Sequence, residues 1–313
     1  MKQTHSIQLL EYPGSQKSAL WGMKDLLDHA SVHADRDLNL QFDARISRTP
    51  DHTSDTVVLP PALSLQPPAI PQGWAETLAS MHRSGTILAS VCSGAFLLAA
   101  TGRLDQRRIT THWKHIPLFR ERYPDIILDE QKLVVDLGDI VTAGGVMAWT
   151  DLTLHLIERL TSRRIMLDAA KMFVLDPPRR EQSFYATFTP NRSHPDQKIA
   201  EVQDLLQHDP SANHTIASLA QTTSLSERSL LRRFKQATGK TPLAYLQLLR
   251  VEGARSRLEL TKDNFEQISW DMGYRDVAAF RHIFKRALGL TPSQYRRRFG
   301  AERHASRVED REM

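Results

Sequence analysis

The sequence predicts a two-domain protein: an α/β domain with a mainly parallel sheet, then an all-helical domain. Three observations predict it. Short apolar runs alternate with longer amphipathic ones as far as about Leu175, a proline-rich stretch follows, and beyond it one helical unit occurs twice. Alternation of strand-like and helix-like pieces is the pattern of a sheet covered on both faces. At 313 residues the chain is long for one core, which agrees with a division in two.

In order, IQLL from Ile7, TVVL from Thr56, TILASV from Thr86 and DIVT from Asp139 read as strands, followed by amphipathic segments at 18–30, 74–84, 94–100 and 147–160. From Asp176 to Asp196, DPPRREQSFYATFTPNRSHPD carries four prolines and no sustained period, which reads as a linker. The expected boundaries are 1–188 for the first domain, 189–196 for the linker and 197–300 for the second domain. Residues 301–313, of mixed charge with little to bury, are expected to form a mobile tail.

The composition, 41% hydrophobic and 25% charged, is that of a soluble globular protein. No apolar run approaches the roughly 20 residues that span a bilayer. The N-terminal apolar stretch breaks at Pro13-Gly14, unlike a secretory signal, so a cytoplasmic protein with no membrane partner is expected. The one cysteine, Cys92, excludes an intramolecular disulfide and a cysteine-based zinc finger. The 13 histidines have no ligand spacing, so neither a metal nor a cofactor is expected; His5, His82 and His208 read as surface residues. Residues 1–195 hold 21 basic and 21 acidic side chains against 17 and 11 in 196–300. The positive excess therefore belongs to the C-terminal domain, as a phosphate-backbone partner requires.

The repeat is specific. FKQATGKTPLAY from Phe234 returns as FKRALGLTPSQY from Phe284, with seven identities at an offset of 50. Gly ends a helix, Thr caps the next and Pro fills its first turn. Upstream, LAQTTSL at Leu219 matches ISWDMGY at Ile268 with an offset of 49. Each copy reads as a short helix, a tight turn and a second helix, the helix-turn-helix pattern. With Leu230 and Phe234 facing the core, Arg228, Arg232 and Lys235 turn outward. With Phe280 and Phe284 inside, Val277, Ala278, Ala279, His282 and Lys285 are left to meet thymine methyls, base edges or phosphates. Pro242 to about Leu260 reads as one helix of roughly 28 Å, long enough to set two recognition helices about one DNA turn apart.

On these residues, 196–300 resembles the DNA-binding domain of the AraC/XylS family, which carries two helix-turn-helix units joined by a long helix. The resemblance implies that Glu227, Arg228, Leu231 and Arg232 occupy exposed recognition positions of the first unit, and Val277, Ala278, Ala279 and His282 those of the second. Double-stranded promoter DNA is the implied partner, with RNA polymerase as a further one.

In the first domain, TILASVCSGAFLLAATG reads as a strand, a sharp turn at Cys92 and a helix from near Ser93, a nucleophile elbow. A helix N-terminus there is expected to lower the thiol pKa, with His112 in ITTHW as a base. This resembles the ThiJ/PfpI group of the class I glutamine amidotransferase-like superfamily, which implies a flavodoxin-like sheet; TAGGVMAWTDLTLHLIERL from Thr142 resembles that group's later segment. Together the two domains resemble the GlxA-type branch of AraC-family regulators, which implies a homodimer through the N-terminal domain. Two departures matter. The group's acidic partner falls on Ala19, and Pro60 and Pro61 stand where glycine N–H groups help form an oxyanion hole. Proline has no N–H, and one lost donor costs about 2.7 to 4 kcal/mol of transition-state stabilisation.

The expectation is a ligand-responsive, sequence-specific transcription regulator without catalysis. Cys92, Ser93, His112, Trp21, Trp113, Trp149 and Thr142 are the expected ligand-binding residues. The elbow would hold an anionic group and the tryptophans an ammonium, in an amino-acid-derived or amine-bearing metabolite. The alternatives are an active cysteine-dependent hydrolase or lyase fused to a DNA-binding module, in which Cys92 and His112 are catalytic, and a redox switch at Cys92.

Overall fold

A computed structural model of the chain describes residues 3–64, 66–177 and 181–300. It divides into two compact units between Gln182 and Ser183. The expected tail, 301–313, lies outside the described residues.

The first unit runs β1 (Gln3–Leu10), α1 (Lys17–Leu38), β2 (Leu40–Ser47), β3 (Thr56–Leu59), α2 (Trp74–Arg83), β4 (Ile87–Val91), α3 (Gly94–Ala99), β5 (Arg108–Ile109), α4 (Ile116–Arg122), β6 (Ile127–Leu128), β7 (Val134–Asp136), β8 (Ile140–Ala143), α5 (Trp149–Leu160) and α6 (Arg163–Met172). The main sheet has the order β2-β1-β3-β4-β8-β7; β5 and β6 form a separate pair. Every pairing is parallel except β7 with β8. Side chains alternate faces along a strand, and the apolar ones divide accordingly. Ile7, Leu9, Val58, Ala89, Val91 and Val141 pack with α1, α5 and α6. Leu10, Val57, Leu59, Leu88 and Ile140 pack with α2, α3 and α4. This is the expected flavodoxin-like sheet covered on both faces. The edge strand β2 has no uniform apolar run, because only Leu40, Phe42 and Ala44 are buried.

The second unit is all-helical among the described residues, with α7 (Gln197–His208), α8 (Ile216–Thr222), α9 (Glu227–Thr238), α10 (Pro242–Leu260), α11 (Phe265–Asp271), α12 (Val277–Leu288) and α13 (Pro292–Phe299). The repeat is visible in the caps. Gly239 and Gly289 end α9 and α12 at φ +74° and +73°, where L side chains are strained. Thr241 and Thr291 accept backbone N–H bonds at the starts of α10 and α13, each followed by Pro. The two cores match as well: Phe234 meets Tyr245 edge-on at 5.3 Å, and Phe284 meets Tyr295 at 5.6 Å.

The proline-rich stretch carries aromatic residues that find places in these cores. Phe184 is buried with Phe284 and Tyr295, while Phe188 packs with Phe234 and Tyr245. Its backbone is tied to α10: Phe188 N–H donates to Glu252 at 3.0 Å, and Arg255 donates to the Ala186 carbonyl at 2.7 Å.

Candidate functional site

Each helix-turn-helix presents one face. On α9, Leu230 and Phe234 are fully buried, and Glu227, Arg228, Leu231, Arg232 and Lys235 are exposed. On α12, Phe280, Phe284 and Leu288 are buried; Ala278, Ala279, His282 and Lys285 are exposed, and Val277 is half-buried. The side chains of Ser226 and Asp276 hold the first turns by accepting backbone N–H bonds, so both helices keep their N-terminal residues ordered. Arg233 turns the other way. Its guanidinium donates to both oxygens of Asp196 at 2.7 Å, and that bonding holds the Asp196 carboxyl below the usual carboxylate range.

In the first unit, Cys92 stands between β4 and α3 at φ +54°, a conformation few non-glycine residues adopt. Three contacts hold it there. Its N–H donates to the Ala143 carbonyl at 2.7 Å, its carbonyl accepts the Thr111 hydroxyl at 2.8 Å, and the adjacent Ser93 Oγ accepts the Ala62 N–H at 2.8 Å. Gly94 makes the turn possible. A Cβ there would lie 2.4 Å from the Leu59 oxygen, so only glycine lets α3 sit against the end of β3.

The elbow is present, but the thiol is not activated. Cys92 is 1% exposed; burial pushes its pKa up to about 12, and hydrogen bonding with Ser93 opposes this only partly. The depressed pKa expected from the sequence is corrected here. Helix α3 spans six residues, all buried, so desolvation outweighs its small dipole.

A cavity of about 160 Å³ opens beside the thiol, lined by Cys92, His112, Trp113, Lys114, His115 and Val146, with Ala62, Leu63 and Ser64. His112 Nδ1 accepts the Lys114 N–H at 3.0 Å. Burial first, then His115 and Lys114, push its pKa down to about 4, which makes it a weak base. The Trp113 ring is stacked on His112 at 5.3 Å and carries the Lys114 ammonium at 5.3 Å. Lys114 and His115 carry no signal in the sequence beyond their nearness to His112.

The other expected ligand residues do not line this cavity. Trp21 is 59% exposed, because Ala19, Leu20 and Met23 form the buried side of α1. Trp149 packs over Gly22, where a Cβ would lie 2.4 Å from its ring. Thr142 is buried and accepts the Thr110 N–H at 2.9 Å. Ser93 is buried behind the elbow. Ala19 lies in the same apolar cluster as Cys92. The carbonyls of Pro60 and Pro61 accept bonds from the Tyr12 hydroxyl at 2.6 Å and the Gln16 N–H at 2.7 Å.

The expected surface histidines also divide. His208 is exposed, whereas His82 pairs with Asp139 at 2.8 Å and half-buried His5 meets Thr56 at 2.9 Å. Among the described residues no group of His, Cys, Asp and Glu is placed to hold a metal ion, and no helix is long and apolar enough to cross a membrane.

Comparison with known proteins matches the helix-turn-helix domain family over residues 219–298 and the DJ-1/PfpI family over residues 24–159. The HTH-type transcriptional regulator GlxA of Rhizobium meliloti is 31% identical over 240 residues, 74% of this chain and 73% of its own. The HTH-type transcriptional regulator CdhR of Pseudomonas aeruginosa is 28% identical over 229 residues, 73% of this chain and 68% of its own. The solved DNA-binding domain of AdpA, in complex with a target DNA, is 30% identical and covers 33% of this chain and 94% of its own, with a TM-score of 0.32. With its duplicated helix-turn-helix behind a DJ-1/PfpI domain, the chain belongs to the GlxA-type branch of the AraC family of transcriptional regulators.

Proposed function

We propose that the chain is a metabolite-controlled transcription factor whose effector is a small carboxylate held, unreacted, beside Cys92. One observation carries this reading: the cavity sets a buried, protonated thiol and a neutral His112 beside a single cation, Lys114. A pocket with that balance favours an anion and supplies neither thiolate nor strong base. At about 160 Å³ it is smaller than the 300 to 1,000 Å³ of drug-sized sites, so the effector is of amino-acid size. An ammonium on the effector would compete with Lys114 for Trp113, so the carboxylate is the group recognised first. The apolar, buried Ala19 in place of a carboxylate, and Pro60 and Pro61, which have no N–H to offer an oxyanion, also favour binding over turnover.

On DNA, Arg228, Arg232 and Lys235 of α9, with Glu227 and Leu231, read one major-groove segment. Val277, Ala278, Ala279, His282 and Lys285 of α12 meet the next. The regulator works in the cytoplasm as a homodimer through the first unit, whose exposed Trp21 and Met147, at 59% and 58%, offer apolar surface. On the promoter it meets RNA polymerase, and effector binding shifts the balance between arrangements of the DNA-binding units.

The test is a calorimetric titration of the full chain with small amino acids, betaines, amines and carboxylates, with the recovered ligand checked by mass spectrometry. Saturable binding of an unchanged carboxylate, weakened at least tenfold by Lys114→Ala, is the expected result. Cys92-dependent consumption of the ligand would replace the sensor with an enzyme.

A further inference from the structure

The second unit holds a groove that the recognition residues alone do not account for. It has a volume of about 390 Å³ and runs between α9, α10 and α12, with Lys235, Lys240, Thr241, Gln247, Ile283 and Arg286 among its lining residues. Three of these are cations, and none of the lining residues is acidic. A concave surface with one sign of charge concentrates counter-charge.

Helix geometry sets the groove beside both recognition faces. Residues three, four and seven apart share a helix face. Arg228, Arg232 and Lys235 follow that spacing along α9, and all are exposed. Ala279, His282 and Arg286 follow it along α12, and all are exposed. Each stripe therefore runs from a recognition position to a cation that lines the groove. Thr241 caps the start of the 19-residue α10, which adds the positive end of a long helix dipole to the same wall.

A duplex that offers successive major-groove turns to α9 and α12 must carry its sugar-phosphate backbone past the space between them. From this the geometry points to a phosphate seat: Lys240 and Arg286, with Gln247, clamp the DNA backbone between the two recognition helices and fix the register of both. None of the three is a base-reading residue. They are positioning residues that act alike on every sequence.

The experiment measures binding of the full chain to a fluorescent 30-bp duplex of generic sequence across a salt series. Arg286→Ala and Lys240→Ala are each expected to weaken binding three- to thirtyfold. Each should also lower the slope of log affinity against log salt by about 1, as one lost phosphate contact does. Arg286→Lys should restore most of the slope. Lys171→Ala, an exposed cation of the first unit, controls for the loss of one positive charge, and thermal melting of each variant checks that it folds. A slope unchanged in both groove variants, or lowered equally by Lys171→Ala, would overturn the seat. Wild-type chain that bound no duplex at all would instead count against the reading of α9 and α12 as DNA-facing helices.

Discussion

The side-chain amide of Gln182 donates to the Thr110 hydroxyl at 3.0 Å, in the interior of the first unit. The same nitrogen lies 2.9 Å from the Thr111 carbonyl and 3.2 Å from that of Lys132. Thr111 in turn donates its hydroxyl to Cys92. Gln182 is 1% exposed and is the last residue before the chain enters the second unit. The turn that holds the thiol and the exit of the chain are thus one hydrogen-bond network.

That network predicts a double-mutant result. Gln182→Ala leaves buried acceptors without their donor and should cost the first unit about 1 to 3 kcal/mol. Gly144→Ala would push a Cβ to 2.6 Å from the Gln182 amide, and overpacking of this kind costs about 1 to 3 kcal/mol. With the amide gone the methyl has room. The double variant should therefore be less destabilised than the two losses combined by more than about 0.5 kcal/mol. Denaturant melts of the four proteins check this, and strict additivity would mean that the two residues do not share the space.

Cys92 should be a poor nucleophile at neutral pH. With the folded pKa pushed up to about 12, the thiolate fraction at pH 7.5 is far below that of a free cysteine. Alkylation by iodoacetamide, followed by mass spectrometry, should be at least a hundredfold slower than for a model thiol and should still rise between pH 7.5 and 9.5. The linkage has a definite sign: the unfolded thiol ionises near pH 8.5 and the folded one near 12, so this group's stabilisation is lost as pH rises between them. Fast alkylation with no pH dependence from 6 to 9 would reveal a stabilised thiolate.

Acid should act through His112. Its folded pKa lies near 4, whereas the unfolded side chain takes a proton below about 6.5. The unfolded state then binds more protons, so stability falls as pH drops from 6.5 toward 4. Burial is the main cause, with His115 and Lys114 adding to it; the neutral ring also leaves Nδ1 free to accept the Lys114 N–H. His112→Asn keeps an acceptor there and does not titrate. Its melting temperature should fall less steeply over that range than the wild type's; the remainder belongs to His115 and His5, which burial also shifts downward.

How far the sequence carried can be judged from particular residues. The apolar runs that became β1, β3, β4 and β8 are buried on both faces, so they show without alternation. β2 did not show, because an edge strand covered on one side mixes Leu40 and Phe42 with exposed Gln41 and Arg45. The second unit was the more legible, since its caps and turns repeat residue for residue. The elbow at Cys92 was legible as a turn, but its pKa was not, because that depends on how deeply the thiol is buried. The cavity was only half legible for a similar reason: whether Trp21 and Trp149 reach it depends on the rotation of α1 and on Gly22, neither of which a list of aromatic residues contains.

Neighbouring arginines on α9 should separate reading from holding. Arg232 is exposed on the face shared with Arg228, whereas Arg233 is engaged by Asp196, which also accepts the Ile199 N–H as the cap of α7. Arg232→Ala should cost about 1 to 3 kcal/mol of discrimination at one base pair and leave the melting temperature unchanged. Arg233→Ala should do the reverse, lowering the melting temperature of the second unit and weakening all sequences alike only as folded protein is lost. Selection of binding sites from a random library, run on both variants beside thermal melts, distinguishes the two roles. If Arg232→Ala weakened every sequence equally, Arg232 would be a phosphate contact, and base reading by α9 would fall to Arg228 and the other exposed residues of that face, Glu227, Leu231 and Lys235.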